Sequence, residues 1–78
     1  MWWRKHEVIV YTRDGCHLCE DAYQLLLKYG FKPKLVNIDA DSELRDRYHV
    51  WVPVVVIDGK ERFRGRVDEV LLKRLLRG

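Results

Sequence analysis

The sequence predicts an α/β protein, of the α+β kind with a mixed sheet, in which helices pack on four strands. Three observations predict it. A β-branched segment leads directly into a helical repeat of apolar residues, a run of valines and isoleucine ends at Asp58-Gly59, and an amphipathic segment comes near the end of the chain. A strand–helix–strand start implies a right-handed parallel crossover, whereas an Asp-Gly turn implies an antiparallel pair. The predicted order is therefore β-α-β-(α)-β-β-α in one four-stranded mixed sheet.

The first half of the chain changes from a strand pattern to a helix pattern. Glu7–Tyr11 is short, β-branched and aromatic-ended, which predicts a strand before the turn at Asp14-Gly15. Cys16–Tyr29 is predicted to be a helix that stops at Gly30. Its apolar residues recur at helical spacing, at Leu18, Ala22, Leu25, Leu26 and Tyr29.

The second half supplies the remaining strands and two helices. Lys34–Ile38 is predicted to be a strand, and Asp39–Tyr48 a short polar helix or turn that begins near Ser42 and carries a solvated acidic face. Val54–Ile57 is apolar throughout, as a strand covered on both faces would be. Lys60–Arg64 is the returning edge strand. Val67–Leu76 is a final amphipathic helix, with acidic residues first and basic residues last, as the helix dipole favours.

Composition and charge narrow the class of protein. The chain has 78 residues, 47% of them hydrophobic and 35% charged, which is typical of a folded domain. Residues 1–78 are therefore predicted to form a single domain. The net charge of +3 is too weak to indicate nucleic acid, and no aromatic platform interleaves with the arginines. No apolar run reaches the ~20 residues of a membrane span, and no signal-peptide stretch is evident. We expect a cytoplasmic monomer that binds neither nucleic acid nor membrane.

The two cysteines form the motif Cys16-His17-Leu18-Cys19 directly after the first predicted strand. In a reducing compartment such a pair is more often catalytic or metal-binding than structural. The first turn of a helix favours a thiolate, which is the nucleophile, and the residue three positions on is close enough to form a disulfide. We therefore assign Cys16 as the attacking residue and Cys19 as the residue that resolves a mixed disulfide. Zinc is the alternative, but it needs about four ligands and no further ligand pattern is present, so no metal ligand is assigned.

A second signal lies at Val52-Pro53, immediately before the buried valine strand. Proline is expected only at the start or the edge of a strand. An ordinary turn and a cis peptide bond are the two interpretations, and the cis bond costs only ~0.5–1 kcal/mol before proline. Trp51 should lie near the mouth of the site, where it either shapes the surface offered to a substrate or simply packs. Trp2 and Trp3 are expected to cover a sheet edge.

These motifs together resemble glutaredoxins of the thioredoxin superfamily. The matching segments are Tyr-Thr-Arg-x-Gly-Cys-x-x-Cys at 11–19, Val-Pro-Val at 52–54 and Gly-x-x-Asp at 65–68. Gly-Cys-His-Leu-Cys-Glu-Asp-Ala at 15–22 is similar to small bacterial glutaredoxin-like proteins. The resemblance extends from about Glu7 to Leu76. It implies a thioredoxin/glutaredoxin-like fold and the activity of a thiol–disulfide oxidoreductase, with Cys16 as nucleophile.

The resemblance also implies substrate-binding residues. Arg13 matches a basic residue that faces the glycine carboxylate of glutathione. Val52 and Pro53 match the segment whose backbone pairs with the bound peptide or glutathione, like a short added strand. Asp68 matches an acidic residue near the glutathione amino group, at the start of a helix.

Four residues are expected to modulate this site. They are Trp51, Asp14, His17 and Arg66. Asp14 is an acid that would oppose thiolate formation. His17 either stabilises the thiolate and moves protons or merely caps the helix. His17-Leu18 stands where glutaredoxins usually have Pro-Tyr. Arg66, followed by Val67, stands where they usually have a glycine and a small residue, which predicts poor use of glutathionylated substrates.

The sequence thus predicts an enzyme that reduces disulfides of proteins or small molecules. No tightly bound cofactor is expected. Electrons would come from glutathione as cosubstrate or from a thioredoxin-reductase-type partner. A non-enzymatic metal-binding or redox-sensing module that uses the same two thiolates is the alternative.

Overall fold

A computed structural model describes residues 6–77 of the chain, so Trp2 and Trp3 lie outside the described residues. Four strands, three α-helices and one 3-10 turn follow one another in the predicted order. They are β1 (Val8–Thr12), α1 (His17–Lys28), β2 (Lys34–Asn37), the 3-10 turn (Ile38–Ala40), α2 (Ser42–Tyr48), β3 (Val54–Ile57), β4 (Lys60–Arg64) and α3 (Glu69–Arg77).

The strands form one sheet in the spatial order β2-β1-β3-β4. β1 and β2 are parallel, with Thr12 opposite Asn37 at their carboxyl ends. β3 is antiparallel to β1, with Val54 opposite Tyr11, and β4 is antiparallel to β3. This sheet confirms the predicted fold class, because the crossover through α1 gives the parallel pair and the Asp-Gly turn gives the antiparallel one.

Helices cover both faces of the sheet. On one face, α1 and α3 bury the larger core, in which Leu26 and Leu72 are fully buried against the strands. On the other face, α2 and the 3-10 turn bury Ile38, Tyr48 and Val54. The continuous apolar run of β3 is explained by this arrangement, since both of its faces are covered. None of the helices in residues 6–77 is long and apolar enough to cross a membrane.

The ends of several elements differ from their predicted positions by one or two residues. β1 runs one residue further than predicted, to Thr12. α1 begins at His17 because Cys16 is its N-cap. α3 begins at Glu69 rather than Val67, since the Asp68 carboxylate accepts hydrogen bonds from the N–H groups of the second and third helical residues, Val70 (2.9 Å) and Leu71 (3.3 Å).

The β3–β4 turn is tied to the start of β1. Asp58 and Gly59 have φ angles of 52° and 83°, the left-handed conformation that a tight hairpin requires. The Asp58 carboxylate accepts hydrogen bonds from the Glu7 backbone N–H (2.9 Å) and from His6 Nδ1 (2.7 Å). These contacts hold the pKa of Asp58 below its ordinary value, and the hydrogen bond from the Glu7 N–H has the largest effect.

Candidate active site

Cys16 and Cys19 lie at the N-terminal end of α1, at the carboxyl edge of β1. They are joined as a disulfide, with their Cα atoms 5.3 Å apart. The backbone N–H of Cys19 also donates a hydrogen bond to Cys16 Sγ (3.1 Å). Cys16 is partly exposed, whereas Cys19 is 3% exposed. A molecule from solvent can therefore reach the Cys16 sulfur, while the Cys19 sulfur lies behind it.

The loop between β1 and α1 positions Cys16 at the helix start. Gly15 has a φ of 75°, a conformation that residues with a side chain rarely adopt. His17, the first helical residue, is exposed. It does not cap the helix, as one interpretation of the sequence proposed, because Cys16 occupies the N-cap position with extended backbone angles.

The Arg13 guanidinium is held by other groups of the protein, although the side chain is partly exposed. Its Nε donates to Asp39 Oδ2 (3.1 Å), its Nη2 lies 2.9 Å from Asp39 Oδ1, and its Nη1 donates to the His49 carbonyl oxygen (3.3 Å). Asp39 is exposed, as the predicted solvated acidic face requires, but it also pairs with Arg13, which the sequence did not indicate. The parallel pairing of β1 with β2 brings the residues after both strands together, so Asp39 meets Arg13.

A cavity of about 580 Å³ opens beside Cys16 on the β2 side of the sheet. Besides the β1–α1 loop and the two cysteines, it is lined by residues of α1 and β2 that the sequence did not single out, namely Glu20, Tyr23, Gln24, Leu35 and Asn37. Asp14, also on its wall, accepts a hydrogen bond from Asn37 Nδ2 (3.3 Å). Leu35 is 49% exposed because α1 leaves this edge of β2 uncovered.

Val52 and Pro53 lie across β1 from that cavity. Val54, which follows them, pairs with Tyr11, so the segment meets the same edge of the sheet as Cys16. The Val52–Pro53 peptide bond is cis, as one interpretation of the sequence predicted. Within residues 6–77, neither the N–H nor the C=O of Val52 has a hydrogen-bond partner. The Pro53 carbonyl oxygen accepts from the Gly65 N–H (2.8 Å).

Trp51 lies just before this segment and is 49% exposed. The Arg64 guanidinium lies over its indole ring, 5.4 Å from the ring centroid, and pairs through two nitrogens with the Glu61 carboxylate (2.9 and 3.1 Å). The Arg64 contact holds the indole ring in place, and the position of Trp51 at the mouth of the site stays a prediction.

The segment before α3 places Arg66 close to α1. Arg66 and Val67 line a small cavity of about 190 Å³ together with residues of α1, among them Leu18. Only Gly65 of this segment has a positive φ, 79°, so the backbone at Arg66 is unstrained. Val67 packs against the larger core. Asp68, predicted near a substrate amino group, uses its Oδ1 oxygen to cap α3.

Within the part of the chain that the structure describes, no group of three or more histidine, cysteine or acidic side chains is placed to hold a metal ion. A metal bound by Cys16 and Cys19 would therefore need ligands from outside residues 6–77 or from a second chain.

Comparison with known families decides what kind of protein this is. Residues 7–77 match the family described as Glutaredoxin-like domain (DUF836). The chain belongs to this glutaredoxin-like family. A search of the curated proteins found no match.

Solved structures agree with the glutaredoxin-like assignment. A structural genomics target from X. campestris is 32% identical, with a TM-score of 0.75 over 90% of this chain and 95% of that one. The holo form of glutaredoxin C1 from populus tremula x tremuloides is 30% identical, with a TM-score of 0.65 over 88% and 74% of the two chains. NrdH-redoxin from Escherichia coli, a glutaredoxin-like protein with a thioredoxin-like activity profile, is 25% identical, with a TM-score of 0.67 over 88% and 93%.

The glutaredoxin-like fold and its closely spaced cysteine pair together indicate thiol redox activity. The sequence indicated the cysteines, the cis proline and the segment before α3, but it did not indicate the pairing of Asp39 with Arg13 or the part of the cavity wall that Glu20, Tyr23, Gln24, Leu35 and Asn37 supply. The available signal was the position of Asn37 as the last residue of β2 and of Asp39 just after it. Polar residues collect at this edge of the sheet, because β2 is parallel to β1.

Proposed function

We propose that this glutaredoxin-like protein is a thiol–disulfide oxidoreductase with Cys16 as nucleophile and Cys19 as resolving residue. The Cys16 thiolate attacks one sulfur of a substrate disulfide, which forms a mixed disulfide and releases the first substrate thiolate. The Cys19 thiolate then attacks Cys16 Sγ, which releases the second thiolate and forms the Cys16–Cys19 disulfide. Both released thiolates take up protons, and the substrate gains the two electrons that the protein loses.

The observation that carries this proposal is the difference in exposure between two cysteines one helical turn apart. Cys16 is the N-cap of α1 and partly exposed, and Cys19 is buried with its N–H directed at Cys16 Sγ. N–H groups and the positive end of the helix dipole at this position stabilise a thiolate on Cys16. A mixed disulfide would therefore form on Cys16, where Cys19 can attack it from inside the protein.

The unpaired backbone of Val52 supports a docking site for the substrate. An extended peptide next to Cys16 would find a free donor and a free acceptor there, and could add to the segment like a short strand. This is the role that the glutaredoxin resemblance implies for Val52 and Pro53. The substrate class proposed is accordingly a disulfide in a peptide, a protein or a small molecule.

The contacts of Arg13 favour a thioredoxin-reductase-type electron donor over glutathione. The guanidinium that would face a glutathione carboxylate is held by Asp39 and by the His49 carbonyl oxygen. Arg66 adds a long side chain where glutaredoxins usually have glycine. The thioredoxin-like activity profile of the E. coli relative supports the same choice. The proposed enzyme acts as a cytoplasmic monomer without a tightly bound cofactor.

Paired assays test the electron donor. Reduction of a peptide disulfide is followed as NADPH consumption, once with thioredoxin reductase and once with glutathione and glutathione reductase. We expect faster turnover with thioredoxin reductase. Faster turnover with glutathione would overturn the choice of donor and leave the proposed disulfide chemistry standing.

Two serine variants test the roles of the cysteines. Cys16→Ser should abolish activity, and Cys19→Ser should accumulate a mixed disulfide on Cys16 that mass spectrometry detects. An adduct on Cys19 in an active Cys16→Ser protein would reverse the roles. Stoichiometric metal in protein purified under reducing conditions, with no disulfide turnover, would instead support the metal-binding alternative.

A further inference from the structure

The cavity on the β2 side of Cys16 gives the reacting sulfur a second neighbouring surface. Val52 and Pro53 do not line it, because β2 and β3 lie on opposite sides of β1. Its volume of about 580 Å³ lies within the ~300–1,000 Å³ range of ligand sites. A substrate bound through one sulfur to Cys16 can therefore place the group beside that sulfur in this cavity.

The charges on the cavity wall are unbalanced. Among residues 6–77, Arg13 is the only lysine or arginine on the wall, and the two-point pair with Asp39 neutralises it. Glu20, on α1, has no hydrogen bond or ion pair through its side chain with any residue of 6–77. Asp14 accepts one hydrogen bond, from the neutral amide of Asn37. Two carboxylates thus face the cavity, and no lysine or arginine in the described part of the chain balances them.

We propose that this cavity makes the enzyme prefer disulfides that carry a positively charged group next to the sulfur. The ammonium or guanidinium group would lie between Glu20 and Asp14, and its aliphatic stem would lie along Tyr23 and Leu35. The inference rests on the proposed disulfide reduction and adds no chemical step to it. Both carboxylates are exposed. We therefore expect each of them to raise the rate with a positively charged disulfide about threefold, the effect of a surface ion pair.

Three small disulfides with the same two-carbon spacer test the preference. Cystamine carries two ammonium groups, bis(2-hydroxyethyl) disulfide is neutral, and 3,3′-dithiodipropionate carries two carboxylates. The rate at which each oxidises the fully reduced protein is measured at low salt and divided by its rate with dithiothreitol, which removes the intrinsic reactivity of the disulfide. The normalised rate should be highest for cystamine and lowest for dithiodipropionate, and high salt should reduce the difference.

Matched variants assign the preference to the cavity. Glu20→Gln should lower the ratio of the cystamine rate to the dithiodipropionate rate about threefold. Asp14→Asn should lower the same ratio by a similar factor. Any effect of Asp14→Asn that is common to all three disulfides cancels in this ratio. Glu43→Gln, which makes the same charge change on α2 on the other face of the sheet, should leave the ratio unchanged. Equal ratios in the parent protein, Glu20→Gln and Asp14→Asn would overturn the inference.

The neutral disulfide separates the two proposals. If bis(2-hydroxyethyl) disulfide oxidises the protein but charge has no effect, only the cavity inference fails. If none of the three disulfides oxidises Cys16 and Cys19, the proposed function fails and the inference fails with it.

Discussion

Arg13, which lines the same cavity as Cys16, forms a two-point ion pair with Asp39, with Nε 3.1 Å from Oδ2 and Nη2 2.9 Å from Oδ1. The two residues are 26 positions apart in the sequence. The pair uses the guanidinium edge that would otherwise receive an incoming carboxylate in a bidentate contact. If the proposed function is correct, Asp39 should therefore limit the binding of anionic substrates at Arg13.

Release of Arg13 should improve the use of glutathionylated substrates. Asp39→Asn removes the negative charge but keeps an oxygen acceptor, so Arg13 becomes available to a substrate carboxylate. We expect kcat/KM for a glutathionylated peptide to rise about threefold, the size of a partly exposed ion-pair effect. The rate with a neutral disulfide should stay unchanged.

Asp46→Asn is the matched control for this experiment, because it makes the same charge change at an exposed position of α2. An equal rise in both variants would mean that overall charge, and not Arg13, governs the rate.

Arg66→Gly should also favour glutathionylated substrates. The Arg66 side chain lies beside Leu18, a residue of α1. The backbone at Arg66 needs no special conformation, so Arg66 affects a bound ligand through the bulk of its side chain. We expect about a threefold gain in kcat/KM, or ~0.6 kcal/mol, whereas Arg66→Lys should change little. Val67 is left in place because it packs against the core. A fall in activity with Arg66→Gly would show that Arg66 attracts the substrate carboxylate.

The charge of Asp58 should stabilise the fold in a pH-dependent way. The pKa of Asp58 is lowered in the folded state, chiefly by the Glu7 N–H. The ionised carboxylate therefore contributes to the free energy of unfolding at a pH above the unfolded pKa of about 3.9. This contribution is lost as the pH falls through the lower folded pKa. Asp58→Asn keeps one acceptor oxygen for the Glu7 N–H and tolerates the φ of 52°, so it removes the charge and the oxygen that contacts His6 Nδ1.

Urea unfolding of the parent protein and Asp58→Asn between pH 5 and pH 2 measures this effect. The parent should be the more stable at pH 5, and the difference should shrink as the pH falls. A difference that stays constant over this range would show that ionisation of Asp58 contributes nothing.

Leu26 should be one of the largest single contributors to stability. Its side chain is 0% exposed between α1 and the sheet, so Leu26→Ala removes buried surface and leaves a cavity. We expect a loss of ~2–5 kcal/mol in the free energy of unfolding, measured with urea. Leu27→Ala, on the same helix but 40% exposed, should cost far less. Equal losses in the two variants would contradict the assigned core.

Local signals in the sequence located most of the elements. The valine run and the Asp58-Gly59 turn predicted β3 and β4 with their observed bounds, because strand burial and hairpin geometry depend on neighbouring residues. The helix ends were less well predicted. Asp68 and Cys16 were placed inside helices that they cap, since a capping residue is identified by its side-chain contacts and not by hydrophobic period.

The sequence by itself determined the reactive chemistry, since Cys16 and Cys19 lie three residues apart after a strand and a helix start brings them together. Only the tertiary structure decided the surroundings of Cys16. Whether Arg13 is free depends on Asp39, and the wall of the cavity depends on Glu20 of α1 facing Leu35 of β2. These contacts join residues far apart in the chain. They exist because β2 pairs with β1 in a register that sets Thr12 against Asn37, and no short stretch of sequence specifies that register.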